Sequence, residues 1–476
     1  MRSLGLLDAT MIVVGSMIGS GIFIVSADVA RTLGAPGYVL GTWVLTGVVT
    51  LIAALSYGEL AGMMPRAGGQ YVYLQEAYNP LTGFLFGWTT FLVAETGTIA
   101  AVATAFARYT GVLVPFFNEE NVLLNLGGFK INSVQLLAVG VIALLTGVNL
   151  RGVREAKTVQ LLFTVTKIGA LLGLVALGIA VGVNLDFWQQ NLAGFWETYT
   201  TEVSEGVVTR TPLDGWPLLT AFGLAMVGPL FSSSAWNNIT FTAAEVKDPR
   251  RSIPLSLLFG TLTVSFLYIS ANVAYQMLLP VAGDPAGTDV VSRGIQFATN
   301  DRVGTAAAAQ IFGAVSTIIM AVFIMISTFG CNNGIILAGA RVSFAMARDG
   351  LFFKKAGELN RHGVPGFALV IQGVWASLLC LSGTYGQLLD YTIFVTLIFY
   401  LLTIGGVFIL RRKRPEAERP YRAFGYPVVP ALYILFAGAL CLDLLWFKPV
   451  TSVAGLVIVA LGVPVFWYWN RGKKSA

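Results

Sequence analysis

The sequence has few charged residues. Only 11% of its 476 residues are Asp, Glu, Lys or Arg, whereas soluble domains average roughly 25%. Hydrophobic residues make up 56%, and the mean hydropathy is +0.75. A surface this poor in charge excludes an ordinary water-soluble protein, and apolar stretches of about 20 residues, the length that crosses a bilayer, recur along the chain. The composition therefore predicts an all-α, multi-pass membrane protein.

Cysteine and histidine are also scarce. The three cysteines, Cys331, Cys380 and Cys441, lie inside apolar stretches, and no CxxC pair occurs. A disulfide framework is therefore not expected. The single histidine, His362, lies in a basic loop, which excludes a histidine-based metal site within the membrane. We predict neither a metal nor a cofactor.

Twelve apolar segments are candidates for membrane-spanning helices. The first has a single basic residue ahead of it, and its apolar run continues past any plausible cleavage point, so we interpret it as a retained helix and not as a signal peptide. The candidate spans cover about residues 9–31, 38–63, 82–113, 132–150, 157–183, 216–244, 254–280, 306–346, 364–383, 388–411, 427–446 and 450–470.

The distribution of Lys and Arg predicts the orientation. If both termini lie on one side, that side and its loops carry 22 of the 30 basic residues, the other side carries six, and Arg108 and Lys167 fall within spans. The positive-inside rule then places both termini in the cytoplasm. The net charge of +6 is thus a sign of topology and not of nucleic-acid binding. We expect a location in the inner (plasma) membrane.

The chain divides into two halves of five spans and a C-terminal part. We assign residues 1–183 to spans 1–5, residues 216–411 to spans 6–10, and residues 412–476 to the last two spans and a cytoplasmic tail. The loop 184–215 between the halves is the longest outer loop and is expected to form a short extracellular cap. It carries acidic residues with aromatic residues between them, namely Asp186, Glu197, Glu202, Glu205 and Asp214.

Span 1 has three glycines, Gly15, Gly19 and Gly21, interleaved with Ser16 and Ser20. Each glycine costs about 1 kcal/mol within a helix. Close helix packing through the small residues is one interpretation. The other is an unwound segment, which is tolerated at membrane depth only where it lines a cavity or is buried in protein. Its N–H end would attract a carboxylate and its carbonyl end an ammonium, so one break could hold an α-amino acid.

Span 6 is interrupted at the corresponding position of the second half. Residues 228–238 read GPLFSSSAWNN, and a proline, three serines and two asparagines are poor helix formers. Interrupted helices at matching positions in two halves are typical of a transporter built from inverted repeats, with its site at the breaks. The sequence therefore predicts a transporter.

Two ionisable residues, Glu95 and Lys167, lie near the middle of spans 3 and 5. A charge there costs roughly 2.5–3.5 kcal/mol, so each is a functional hypothesis. A buried ion pair that only fixes packing is the alternative. Lys167 could be a fixed cation that links span 1 to span 8, or could carry a proton, and both roles stay open. Glu59 and Glu245, at the cytoplasmic ends of spans 2 and 6, are interpreted either as a gate or loop anchor or as solvated helix ends.

Eight motifs in order carry a resemblance to a known family. The chain resembles the amino acid–polyamine–organocation (APC) superfamily, and within it the L-type amino acid transporter branch and its bacterial relatives. The motifs are GSMIGSGIF from residue 15, LGAPG from 33, SYGEL from 56, RAGGQYVYLQEAY from 66, VQLLFTVTKIGAL from 159, FSSSAWNNITFTAAEVKDPRRSIP from 231, STFGCNNGIILAGARVSFAMARDGL from 327 and RPYRAFGYPVVP from 419.

The resemblance implies a LeuT-type fold with spans 1–5 and 6–10 as inverted repeats and two further helices. It implies a substrate carboxylate on the backbone of span 1, an ammonium on the carbonyls of Met17 and Phe231, and a bridge from Lys167 to Ser327. The substrate-binding candidates are Met17, Gly19, Ser20, Gly21, Ile22, Glu95, Phe231, Ser232, Ser234 and Ala235. The coupling or gating candidates are Lys167, Ser327, Cys331, Phe231 and Trp236.

The sequence departs from the family pattern in three places. Residues 232–235 read SSSA where many relatives have glycine, and Glu95 stands where bacterial relatives often have glutamine. Residues 114–131 contain no cysteine, so we expect no disulfide-linked heavy subunit, the partner found in animal relatives.

These observations favour sodium-independent exchange or facilitated transport of neutral amino acids by alternating access. The alternative is a proton-coupled symporter that also accepts cationic amino acids through Glu95. A membrane-embedded enzyme is disfavoured because no convergent nucleophile–base or metal set is visible in the spans. A channel is disfavoured because the paired breaks suit one occluded site.

Overall fold

The computed structural model describes residues 2–126, 129–204, 207–382 and 385–471. Glu205, the last residue of the predicted ninth span and the basic residues Lys473 and Lys474 lie outside the described residues. The described part contains helices α1 Leu6–Met17, α2 Val25–Leu33, α3 Pro36–Met63, α4 Gln70–Ala77, α5 Pro80–Thr89, α6 Glu95–Leu113, α7 Ser133–Leu150, α8 Val153–Gly182, α9 Phe187–Ala193, α10 Gly215–Ala225, α11 Val227–Ser232, α12 Asn238–Phe241, α13 Pro249–Leu278, α14 Val290–Arg293, α15 Val303–Phe312, α16 Ser316–Arg348, α17 Gly366–Ser382, α18 Tyr385–Lys413, α19 Val428–Phe447 and α20 Pro449–Arg471.

Ten segments of the described chain are long and apolar enough to cross a membrane, and two shorter apolar helices, Leu6–Met17 and Gly366–Ser382, accompany them. Long hydrophobic helices satisfy their backbone groups internally, which is the condition for crossing a bilayer. The prediction of a multi-pass membrane protein is therefore confirmed.

The structure also contains two short antiparallel hairpins, which the all-helical prediction missed. They pair β1 Val122–Leu126 with β2 Phe129–Asn132, and β3 Tyr199–Ser204 with β4 Val207–Pro212. The second hairpin is rich in alternating Val and Thr, which favours strands. It packs over α2, and the Gly37 N–H at the start of α3 donates to the Phe195 carbonyl at 2.8 Å. Helix α9 packs on α13, where Asn191 donates to the Gln276 carbonyl at 2.8 Å. Residues 187–204 and 207–212 thus cover one end of the bundle.

The first helix is interrupted later than the sequence predicted. Gly15 and Ser16 are helical, α1 ends at Met17, and a 3-10 turn at Gly21–Phe23 precedes α2. Gly15 serves packing instead, because a methyl group there would collide with the side chains of Gln160 and Thr164 on α8. Of the two interpretations of the glycines in span 1, close helix packing therefore applies to Gly15, and an unwound segment applies to residues 18–20.

The helix made of α10, α11 and α12 is interrupted as well. Helical structure stops at Ser232 and resumes at Asn238. Ala235 has a φ of 65°, a left-handed conformation that is rare for residues other than glycine. The break thus falls within the predicted SSSAWNN segment.

The predicted span 306–346 corresponds to two helices, not one. A methyl group at Gly304 of α15 would lie 3.2 Å from Met320 Cε of α16, whereas residues 304 and 320 of one straight helix would be about 24 Å apart. The chain reverses at Gly313, whose φ is 60°. This reversal was not predictable from the sequence, because both helices are apolar and only the short turn Gly313–Val315 separates them.

At the end of the bundle where α1 begins, buried ion pairs join distant helices. The carboxylate of Glu59, which is 1% exposed, accepts hydrogen bonds from Arg411 at 2.6 and 2.9 Å, from Arg419 at 3.2 Å and from the Ala423 N–H at 2.7 Å. Arg341 of α16, 2% exposed, pairs with Glu245 at 3.0 Å. Glu59 is therefore not a solvated helix end, and its side chain ties α3 to α18 and the segment that follows it.

Replacing Glu59 with Gln should lower the thermal unfolding midpoint of the purified protein by several degrees. The substitution leaves two arginines without their carboxylate, and breaking a buried pair costs about 3–5 kcal/mol. The matched control is Glu418→Gln, since Glu418 is 71% exposed and pairs with an exposed Arg250. Exposed pairs contribute about 0–1 kcal/mol, so equal midpoints for the two variants would contradict the role given to Glu59.

Candidate functional site

The two helix breaks contact each other directly. The Tyr268 hydroxyl of α13 lies 3.1 Å from the Met17 carbonyl and 3.2 Å from the Ser232 carbonyl, within hydrogen-bonding distance of both. Gly21 lies so close to Ser232 that a methyl group at residue 21 would collide with the serine hydroxyl. The end of α1 and the end of α11 therefore form one unit.

Lys167 of α8 lies at the end of α1. Its side chain is fully buried, and its ammonium donates to the Gly15 carbonyl at 2.6 Å, the Ile18 carbonyl at 2.7 Å and the Ser327 carbonyl at 3.4 Å. The last carbonyls of a helix lack hydrogen-bond partners within the helix, and Lys167 is the donor that these carbonyls bind instead. Among the described residues no carboxylate pairs with Lys167, so the alternative of an ion pair with Glu95 is not what the structure has.

Two side chains of α16, one turn apart, complete this set of donors. The Ser327 hydroxyl lies 3.2 Å from the Ile18 carbonyl and 2.9 Å from the Gly19 carbonyl. The Cys331 thiol donates to the Ser16 carbonyl at 3.0 Å. Three of the four residues that follow Gly15 thus have their carbonyls held by α8 or α16.

The N–H groups of the break are less occupied than its carbonyls. Phe23 and Ile24 donate to the carbonyls of Ser20 and Gly21 in the 3-10 turn. The N–H groups of Gly19 and Ser20 make no hydrogen bond to the described residues. Backbone N–H groups ahead of a helical turn attract an anion, because their partial positive charge is unpaired. This side of the break can therefore accept a carboxylate.

A cavity of about 90 Å³ lies between α3, α5, α6, the break after α11, and α18. A cavity needs about 10–15 Å³ of free volume of this kind to hold one water, so this one has room for several waters or for an amino acid side chain. Its walls gather five of the predicted site residues, namely Glu95, Phe231, Ser234, Ala235 and Trp236. The remaining substrate candidates, Met17, Gly19, Ser20, Gly21, Ile22 and Ser232, lie at the joined breaks and not in the cavity wall.

Glu95 lines this cavity with a carboxylate. It begins α6 directly after a π-helical turn, Thr90–Ala94, and such turns are frequent at functional sites. Its Oε2 atom is buried and makes no hydrogen bond of good geometry to the described residues, although the side chain of Asn238 lies close enough to interact with the carboxylate. Buried polar atoms in native proteins are normally paired, so this oxygen can accept a hydrogen bond from a ligand.

The cavity is closed on one side by an aromatic cluster that sequence reasoning identified only through Trp236. The Trp236 ring centroid lies 4.7 Å from that of Tyr57 and 5.1 Å from that of Tyr400. Tyr400 donates to Asn237 at 3.0 Å, and Asn237 donates to Gln70 at 2.9 Å. The polar residues at 392, 396 and 400, four apart in span 10, were the signal that this helix faces a polar cavity.

Paired interrupted helices, whose freed backbone groups converge beside a polar cavity inside a membrane bundle, define a secondary transporter. The amino acid permease family model matches residues 4–468, and the chain belongs to that family, within the APC superfamily. It is therefore an amino acid transporter and not an enzyme, and the resemblance drawn from the motifs is confirmed.

Known relatives are similar over almost the whole chain. The large neutral amino acids transporter small subunit 2 of Mus musculus is 30% identical over 478 residues, which cover 99% of this chain and 82% of the relative. The Asc-type amino acid transporter 1 of Mus musculus is 29% identical over 481 residues, with the same two coverages. The b(0,+)-type amino acid transporter 1 of Oryctolagus cuniculus is 30% identical over 426 residues, which cover 88% of this chain and 78% of the relative.

Replacing Lys167 with Ala should slow transport by at least about tenfold with little loss of folded protein. The change removes the charged donor from the Gly15 and Ile18 carbonyls, and a hydrogen bond to a charged group contributes roughly 1.5–3 kcal/mol. The measurement is amino acid flux in proteoliposomes at matched protein content. Thr166→Ala, on the exposed face of the same helix, is the control, and flux near the wild-type value in the Lys167 variant would remove the role assigned to it.

Proposed function

We propose that this protein exchanges or facilitates the passage of neutral amino acids by alternating access, independently of sodium. The observation that carries the proposal is the ammonium of Lys167 on the carbonyls at the end of α1. A fixed cation there occupies the kind of position that a sodium ion takes in related transporters. Transport then needs no sodium ion to satisfy these carbonyls.

The arrangement proposed for the chain has twelve spans, with spans 1–5 and 6–10 as inverted repeats in a LeuT-type fold. Ten long apolar segments, together with the interrupted first helix and α17, make up this number. Both termini face the cytoplasm of the cell whose inner (plasma) membrane holds the protein. The excess of Lys and Arg on the side of the termini supports this orientation.

We place the substrate's carboxylate on the backbone N–H groups of Ser20, Gly21 and Ile22, with Gly19 beside them. Its ammonium lies on the carbonyls of Met17 and Phe231, with Ser234 nearby and Ser232 holding the two breaks together. The freed N–H groups at residues 19 and 20 and the carbonyl ends of two half-helices support this polarity. The substrate's side chain then points toward the cavity lined by Phe231, Ala235 and Glu95.

Substrate binding would be coupled to movement of the helices by the hydrogen-bond donors that surround the break in the first helix. Lys167, Ser327 and Cys331 hold the carbonyls at the end of α1 from α8 and α16. Phe231 and Trp236 border the cavity and act as gates on its two sides. A substrate bound to residues 17–22 would therefore alter the helices that contact these same residues.

Proton-coupled transport with acceptance of cationic amino acids is the second candidate. The position of Glu95 in the cavity wall favours it, since a carboxylate facing a cavity can hold a proton or a cationic side chain. The small size of the cavity and its Phe, Ser and Ala lining favour the neutral substrate of the first candidate.

The partners proposed are the amino acid and the lipid bilayer, without a disulfide-linked heavy subunit. All three cysteines are free and buried within helices, where none can reach a second chain. The large neutral amino acids transporter of mouse is named a small subunit. Purification of the present protein alone in an active form would therefore distinguish a protein that works by itself from one that requires a heavy subunit.

Transport is tested by reconstituting the purified protein in liposomes and measuring uptake of radiolabelled amino acids. Uptake of neutral amino acids should exceed that of protein-free liposomes and should not change when choline replaces sodium. Unlabelled amino acid inside should accelerate uptake if the protein is an exchanger. Absence of uptake and exchange for every amino acid would reject the proposal.

Replacing Glu95 with Gln should change the substrate preference or the pH dependence of transport. If the carboxylate binds cationic side chains, their apparent affinity should fall by about tenfold or more, because a hydrogen bond to a charged group is lost. Glu119→Gln, at a 54% exposed carboxylate paired with Arg108, is the control. An unchanged substrate profile and an unchanged pH profile would leave Glu95 with a structural role only.

A further inference from the structure

The half-helix α1 lies along one polar stripe of α8. Lys157, Gln160, Thr164 and Lys167 are spaced by three and four residues, which puts them within an arc of about 80° on the helix surface. Lys157 contacts the N-terminal end of α1, donating to Asp8 at 3.0 Å and to the Ser3 carbonyl at 3.2 Å. Lys167 holds the other end, so the stripe follows α1 along its whole length.

Gln160 lies midway along this stripe, in a slot that two glycines create. A methyl group at Gly15 of α1 would collide with the Gln160 amide, and one at Gly334 of α16 would lie 3.0 Å from the amide nitrogen. The side chain of Gln160 is 1% exposed. The missing side chains of α1 and α16 therefore leave room for this one amide between them.

The Gln160 amide belongs to a buried chain of amides on α7, α8 and α16. Asn333 donates to Gln160 Oε1 at 3.0 Å, and Asn149 donates to Asn333 Oδ1 at 3.1 Å. Asn333 also donates to the Ala156 carbonyl at 3.1 Å. These bonds link three helices to one another and none of them involves α1.

The bonds from this network to α1 are the longest ones. Gln160 Nε2 donates to the Met11 carbonyl at 3.5 Å, and the Thr164 hydroxyl donates to the same carbonyl at 3.3 Å. The hydroxyl of Ser16 on α1 is buried beside Gly334 and has no partner among the described residues. The contact between the middle of α1 and its neighbours is thus polar, close and weakly bonded, whereas both ends of α1 are held by short bonds.

We propose that Gln160 is a positioning residue of the transport cycle. Its side chain holds α1 against α8 and α16 and determines how readily α1 moves away from these two helices. The inference rests on the alternating access proposed above. When α1 moves away, Gln160 keeps its bond to Asn333. The Gln160 amide therefore stays partly hydrogen-bonded inside the bundle after α1 has left it. An apolar side chain would pack α1 without this weak, reversible bond.

The test compares the mobility of α1 in Gln160→Met, a change of similar volume that removes the amide. Hydrogen–deuterium exchange of the purified protein in lipid nanodiscs should rise by about threefold in peptides that cover residues 6–17, because the lost hydrogen bond to α1 is weaker than a typical one. The rise should be largest in α1 and smaller in α8 and α16, because those long helices keep their other contacts although Asn333 loses its bond to Gln160.

Gln372→Met is a matched control. Gln372 of α17 is also a buried glutamine in a glycine slot of α16, with a methyl group at Gly339 lying 2.6 Å from its Oε1, and it donates to the Ile336 carbonyl at 3.2 Å. It does not contact α1. This variant should lose thermal stability without raising exchange in residues 6–17, and an equal rise in both variants would overturn the proposal.

A second variant keeps the test decisive if Gln160→Met does not fold. Thr164→Val removes the other donor to the Met11 carbonyl at nearly constant volume and should raise exchange of α1 in the same direction, by a smaller factor. Unchanged exchange in Thr164→Val and in any folded Gln160 variant would show that the stripe does not control α1. The readout requires no transport, so its outcome is separate from that of the flux assay.

Discussion

The structure depends on satisfying backbone carbonyls where α1 stops inside the bundle. Within a membrane an unpaired carbonyl costs several kcal/mol, so a helix that ends there is stabilised by side chains that replace the missing bonds. Lys167, Ser327, Cys331 and Tyr268 are these side chains, and they come from α8, α16 and α13. The same donors that make the break possible therefore tie it to three long helices, and no ligand can bind there without contacting groups that respond to their positions.

Much of this arrangement was predictable because the residues involved are unusual in a membrane helix. Glycines in the first span, the SSSAWNN segment and a lysine in the fifth span each violate helix propensity or membrane energetics, and such violations are found where function requires them. The place where α1 ends was not predictable. Gly15 and Gly19 look alike in sequence, and only the presence of Gln160 and Thr164 on a helix far along the chain shows that Gly15 serves packing.

Other features escaped prediction because they depend on contacts between distant segments. The cavity is built from many parts of the chain, including α4, α16 and α19 as well as the elements around the break, and only the break after α11 and Glu95 carried a signal strong enough to be recognised. The reversal at Gly313 was hidden within an apolar run, and the hairpin over α2 lies in a loop whose length alone suggested a cap. Hydrophobicity identifies the segments that enter the membrane, whereas their folding back and pairing are decided by the neighbours they meet.

The reversal of α15 makes the two barriers around the breaks unequal in thickness. On one side α15 packs on Phe23, whose ring also lies 5.6 Å from that of Phe323, and the hairpin β3–β4 covers α2 beyond it. On the other side the barrier includes α1, a rod of 12 residues. Under the alternating access proposed above, opening the side of α15 and the hairpin would separate several packed layers. Opening the other side would instead break the bonds that α8, α13 and α16 make to the end of α1.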